Sequence, residues 1–123
     1  MGKVIRSESQ YSDYIAEELQ RHVLNLSNKV WDGLIDRSPV LTGNFRYNWN
    51  MTKNAPSYKY EKVGSIESPI NAPKRPRLSF EGKEFPIIYI VNNAPYADRI
   101  EHGWSKRYAP HGVVSVTLAS INI

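Results

Sequence analysis

With 123 residues the chain is long enough for one domain with a modest core and too short for two ordinary ones, and it contains no cysteine, which excludes both a disulfide framework and a cysteine-based zinc site. The formal net charge of +4 and pI near 9.4 give a mild cationic surplus that favours acidic surfaces or nucleic acid at long range without defining a dedicated binder. No stretch approaches the apolar length of a membrane span and MGKVIRSESQ lacks the apolar core of a signal peptide, so a protein made in the cytoplasm and not embedded in a membrane is expected.

Residues 1–11 mix charge with serine and are expected to form a flexible arm, with Ser9 or Ser12 available to cap a helix beginning there. Ile15, Leu19, Val23, Leu26, Val30 and Leu34 recur at steps of three and four, which predicts an amphipathic helix from about Ser12 to Arg37 with that stripe facing the core. Glu17, Glu18, Arg21, Asn25, Asn28, Lys29 and Asp32 fall on the opposite face. Pro39 ends the helix by pushing Ser38 towards extended geometry.

Thr42-Gly43 reads as a turn, and Phe45, Tyr47 and Trp49 then alternate with polar residues, which predicts a half-buried strand over Phe45–Trp49. Its rings either fill the core under the helix or stack bases beside Arg46. Between Asn50 and Phe85 the composition turns polar, with four prolines and the basic cluster Lys74, Arg75, Arg77, and a long hairpin-like insertion is expected, able to act as an arm towards a partner or towards DNA phosphates.

Ile87–Val91 is a short β-branched run bounded by Pro86 and Asn92-Asn93, which predicts a strand buried on both faces. Pro95 suits the start of a short second helix over Tyr96–Glu101, and Gly103 can take the left-handed conformation that ends it. Trp104 to Gly112 is a basic and aromatic loop. The last segment, 113–121, fits both a strand (Val114, Val116, Leu118) and a helical stripe (Val114, Leu118, Ile121).

No group of residues carries an enzymatic or cofactor-binding pattern. The histidines His22, His102 and His111 lack metal-ligand spacing, the glycines are scattered singly, and Asp98, Glu101, His102 and Ser105 form an ordinary polar helix face as readily as a catalytic cluster. The expected class is a non-enzymatic protein without cofactor or metal.

Three blocks carry a resemblance: SPVLTG (Ser38 to Gly43) after the long helix, YIVNNAPYADRIEHG (Tyr89 to Gly103), and APHGVV (Ala109 to Val114). In order and spacing they are similar to the small minor tail, tail-completion or neck proteins that act at the head–tail junction of tailed, lambdoid-like siphophages. Leu41 stands where the family usually shows Asp, and 50–85 has no counterpart in the resemblance. The resemblance implies a virion protein, assembled in the host cytoplasm, that forms a ring around the DNA channel, with six copies expected. It further implies contact with other neck and tail proteins such as a connector, tail terminator or tail tube, and a helix over 113–121. Trp104, Lys106, Arg107 and Tyr108 are the expected interface residues, with Arg75 and Arg77 facing an acidic neighbour or DNA. The alternative is a small basic nucleic-acid-binding module using Arg46, Lys74, Arg75, Arg77, Lys106 and Arg107. For the fold, the expectation is a single α+β domain in which the long N-terminal helix packs on a small, mainly antiparallel sheet.

Overall fold

A computed structural model describes residues 7–121. Its elements in chain order are helix α1 (Glu8–Arg37), the helical turn α2 (Asn44–Tyr47), strands β1 (Trp49–Lys53) and β2 (Ile88–Asn92), and the short helices α3 (Ala97–Glu101) and α4 (Val114–Ser120). The class is α+β, with one long N-terminal helix and a two-stranded antiparallel sheet in which Trp49 faces Asn92 and Lys53 faces Ile88. The final segment, open between strand and helix in the sequence, is helical.

Helix α1 starts earlier than the stripe alone indicated. Ser7, rather than Ser9 or Ser12, is the N-cap: its backbone is extended and its hydroxyl accepts from Gln10 N, with Glu8 in the first turn to favour the helix dipole. Residues 8–11 of the expected arm are therefore helical, and 1–6 lie outside the described residues. At the other end Ser38 leaves helical geometry before Pro39, as expected. Its hydroxyl donates to Leu34 O at 2.6 Å and accepts from the Trp49 indole N–H at 2.8 Å, which ties the helix end to β1.

The buried line of α1 runs through Gln20, Ser27, Trp31 and Leu34. At 100° per residue this line lies roughly 80° round the helix from the centre of the Ile15–Leu34 stripe. Only the C-terminal end of that stripe reaches the core; Leu26 and Val30 are half-buried, while Ile15 and Leu19 are exposed. The cause is the insertion, which covers the flank of the helix. Gln20 is buried because its amide donates to the carbonyls of Gly82 and Glu84, and Asp13 pairs with Lys83.

The core gathers at one end of α1, where Trp31, Leu34, Phe45, Trp49, Met51, Ala94, Ile100, Ala109 and Val113 form one cluster. Phe45 and Trp49 meet edge to face, with centroids 5.7 Å apart. The strand expected over Phe45–Trp49 is instead a helical turn followed by a strand that begins at Trp49. Phe45 and Trp49 are four residues apart, so one turn of helix puts both rings on the same face, and the hydroxyl of Thr42 accepts from Asn44 N to start it. Strand β2 is half-buried throughout rather than sealed on both faces, because a two-stranded sheet leaves it no second strand to lie against.

Helices α1 and α4 cross at a point with no room to spare. A Cβ on Gly33 would sit 2.7 Å from Thr117 Cγ2, and Thr117 is completely buried with its hydroxyl unpartnered. An orphaned hydroxyl in such a place destabilises by its lost hydration. Thr117→Val keeps the shape and removes the hydroxyl, so it is expected to raise stability by about 1 kcal/mol in urea denaturation; a loss of that size would show that the hydroxyl has a partner.

Candidate interaction surface

The insertion between the two strands contains turns and bends but no strand among residues 54–87. It is held by asparagine amides. Asn48, buried, donates to Glu61 O at 2.8 Å and accepts from Glu61 N at 2.9 Å, so one side chain satisfies both main-chain groups of a residue as a neighbouring strand would. Asn44 accepts from Val63 N at 2.9 Å and donates to the hydroxyls of Tyr60 and Tyr96. Asn93 donates to the carbonyls of Ser57 and Lys59. Further along, Ile70 N donates to Thr42 O at 2.8 Å.

Arg75 is drawn back onto the body by this arrangement. Its guanidinium contacts both carboxylate oxygens of Asp32, at 2.9 and 3.1 Å, on the polar face of α1, while Lys74 and Arg77 are exposed. Nearby, Glu84 accepts from Lys53 Nζ and from Glu81 N at 2.8 Å each, and these bonds, the lysine's first, hold its carboxyl below the usual range.

The other expected contact residues lie at the core end of α1. Helix α3 closes with Gly103 at φ +84, where Gly103 N donates to Ile100 O and Trp104 N to Arg99 O. This pair of bonds is the Schellman arrangement, and the side-chain contact that accompanies it is a guanidinium over an indole: Arg99 lies 5.7 Å from the Trp104 ring centroid. Trp104 is thereby held outward, 64% exposed. Arg107 covers the ring of Tyr108, itself 62% exposed, at 5.2 Å, and Lys106 is exposed beside them.

Glu101 joins α3 to α4. Its carboxylate accepts from the backbone N–H groups of Val113, Val114 and Ser115 at 2.8, 2.7 and 3.0 Å and from the Ser115 hydroxyl at 2.8 Å, so it supplies the cap that α4 lacks from its own N-cap residue, Val113. Partial burial pushes its carboxyl up, but the bonds from Val114, Val113 and Ser115 together outweigh this and leave it below the usual range. Gly112, at φ +86, passes so close that a Cβ there would lie 2.4 Å from Glu101 O. Asp98 and His102 neighbour each other on the exposed side, and Glu101 is turned away from them. Asp98, Glu101, His102 and Ser105 are thus not gathered into one group. Among the described residues no three His, Asp or Glu side chains converge to hold a metal ion, and no helix is long and apolar enough to cross a membrane.

The result is a groove of about 560 Å³ between the end of α1 and the Tyr108–Gly112 loop, lined by Pro39, Val40, Tyr108, Pro110 and Val116, with Asp36, Arg37 and His111 also on its walls. Val40 and Leu41 stand exposed at its side. Two of the three sequence blocks that carry the resemblance, the first and the third, supply residues to opposite walls of this groove, and Glu101 of the second block bonds to the third at Val113 and Val114. Sequence reasoning missed Val40, Leu41 and the capping role of Glu101. An apolar pair directly after a helix-ending proline was the available signal for the first two. No family model, curated protein or solved structure matches the chain.

Proposed function

We propose that the chain is a virion structural protein of a tailed phage, a tail-completion or neck subunit that forms a ring, of six copies, around the DNA channel at the head–tail junction. The observation that carries this reading is a groove whose walls come from the first and third resembling blocks, with Tyr108 on its wall and Trp104, Lys106 and Arg107 exposed on the same loop. Exposed aromatics beside arginine are the residue types that dominate protein–protein contacts, and a ring multiplies modest contacts by its symmetry. In this reading the subunit works in the virion after assembly in the host cytoplasm, against a connector, tail terminator or tail tube.

The nucleic-acid alternative is less well supplied. Phe45 and Trp49 are buried in the core rather than presented as a stacking platform, and Arg75 is engaged by Asp32. Disrupting the gene in its phage and imaging the lysate tests the proposal. Filled heads beside separate tails are the expected result; normal infectious particles would end it, and heads without any tails would move the function to an earlier step of tail building.

A further inference from the structure

The long insertion is fastened in two different ways along its length. From Ser57 to Ile70 the hold is neutral and largely buried. The amides of Asn44 and Asn48, 6% and 5% exposed, and that of Asn93 grip main chain, and Ile70 N donates to Thr42 O. Contact is close enough at Gly64, φ +76, that a Cβ there would lie 2.2 Å from Thr42 O. No ion pair among the described residues contributes to this part.

From Asn71 to Phe85 the hold changes character. No bond between main-chain groups joins this stretch to the rest of the described residues; the next one is Asn54 N to Ile87 O, beside the buried Pro86. Ion pairs stand in its place: Arg75 with Asp32 and Lys83 with Asp13 on α1, and Glu84 with Lys53 on β1. In the two pairs on α1 the side chains are 44–60% exposed, where water screens the attraction and such pairs hold weakly. The neutral contacts are the Gln20 amide, which donates to Gly82 O and Glu84 O, and Leu78, half-buried against the core. Between this stretch and α1 lies a cavity of about 330 Å³ lined by Gln20, Leu24, Asn25, Ser79 and Phe80, so the two surfaces are not sealed together.

We propose that residues 71–85 form a strap that lifts from α1 as one unit while residues 57–70 stay mounted. Both ends are pinned, at Ile70 and at Ile87, so the strap swings open rather than coming free. Segments with few buried contacts open at a lower cost than the core, and a segment held by charge opens more readily once that charge is removed. The carboxylates of Asp13 and Asp32 are therefore the catch that holds the strap shut. Opening bares the Gln20 and Leu24 flank of α1 and releases the cations of Arg75 and Lys83 beside Lys74 and Arg77. The sheet and the bonded mount of residues 57–70 keep their own contacts throughout. None of this depends on the virion reading.

Native-state proteolysis tests the strap. Trypsin cuts after arginine unless proline follows, which spares Arg75–Pro76 and leaves Arg77–Leu78 as a reporter inside the strap. The rate of that cut follows the open population when closing is fast relative to cleavage. The expected first product is a chain nicked at Arg77–Leu78 that keeps its helical circular dichroism and its cooperative unfolding. Asp13→Asn combined with Asp32→Asn is expected to speed the cut about fivefold, and Glu18→Gln, whose pairing with Arg21 stays within α1, to leave it unchanged. Because the chain has no native cysteine, Asp13→Cys and Lys83→Cys joined by a short bismaleimide lock the catch, and this chain is expected to resist the cut. A rate moved neither by the asparagine pair nor by the cross-link overturns the proposal, since the carboxylates would then hold nothing shut. So does a cut at Arg77–Leu78 with the same urea dependence as cuts elsewhere in the chain, since the stretch would then open only when the whole domain unfolds.

Discussion

Gly43→Ala is expected to lower stability by about 3 kcal/mol or more. Two costs combine. Gly43 has φ +83, where an L side chain costs about 1–2 kcal/mol, and a Cβ there would lie 2.2 Å from Ile70 O and 2.9 Å from Ile70 Cγ2. The first obstacle is main chain, which cannot swing aside as a side chain would. Moreover, Ile70 N is bonded to Thr42 O, so displacing Ile70 breaks the bond that fastens the far part of the insertion. Gly82→Ala is the control: its φ is +54 but nothing lies within 4 Å of the new Cβ, so only the backbone cost of about 1 kcal/mol is expected. Urea denaturation of both variants checks the pair, and equal losses would show that the contact with Ile70 is not made. For a small domain, whose total stability is commonly about 5–15 kcal/mol, the Gly43 loss is a substantial fraction.

Glu101→Gln is expected to cost about 1–3 kcal/mol and to flatten the response of stability to acid. The neutral amide keeps one acceptor oxygen but turns an N–H group towards the three backbone donors that the carboxylate now satisfies. The direction of the shift sets the sign of the pH effect. Because the folded carboxyl sits below its usual range, its contribution is fully present above the unfolded value, about 4.3, and is lost as pH falls through the folded value. Denaturation midpoints measured from neutral pH down to about pH 3 should converge for the two proteins as Glu101 protonates. Parallel curves, with the gap unchanged at the acid end, would show that the four bonds are not tied to its charge.

The class of the fold was legible because its strongest signals are local. The three- and four-residue spacing of apolar side chains marked α1, Pro39 its end, the β-branched run at Ile87–Val91 the second strand to within a residue, and Gly103 the end of α3. What failed depended on partners distant in the chain. Which side of α1 is buried was decided by the insertion lying against Gln20, and a glutamine gives no apolar signal of its own. Phe45 to Trp49 satisfied the alternation of a strand and the four-residue spacing of a helix at once, and the core selected the helical turn. The fastening of the insertion was illegible for a similar reason: Asn44 and Asn48 read as the polar face of a strand and Asn93 as a turn residue, whereas here their amides serve as substitutes for a third strand. Of the interaction surface, the exposed loop was readable from its composition, and the groove was not, since its walls come from segments far apart in the chain, Asp36 to Val40 on one side and Tyr108 to Gly112 on the other.

That mode of fastening has a consequence for how this chain can change over generations. Within the insertion, the amides of Asn48 and Asn93 grip main-chain atoms of Ser57, Lys59 and Glu61, and the amide oxygen of Asn44 the main-chain N–H of Val63. The side chains of Lys59 and Glu61 are therefore not what those amides recognise, and each can be rewritten without loosening the mount. A lineage could redraw the outer lettering of this segment to suit a new neighbour while Asn44, Asn48 and Asn93 stay fixed: a frame that outlasts whatever picture it holds.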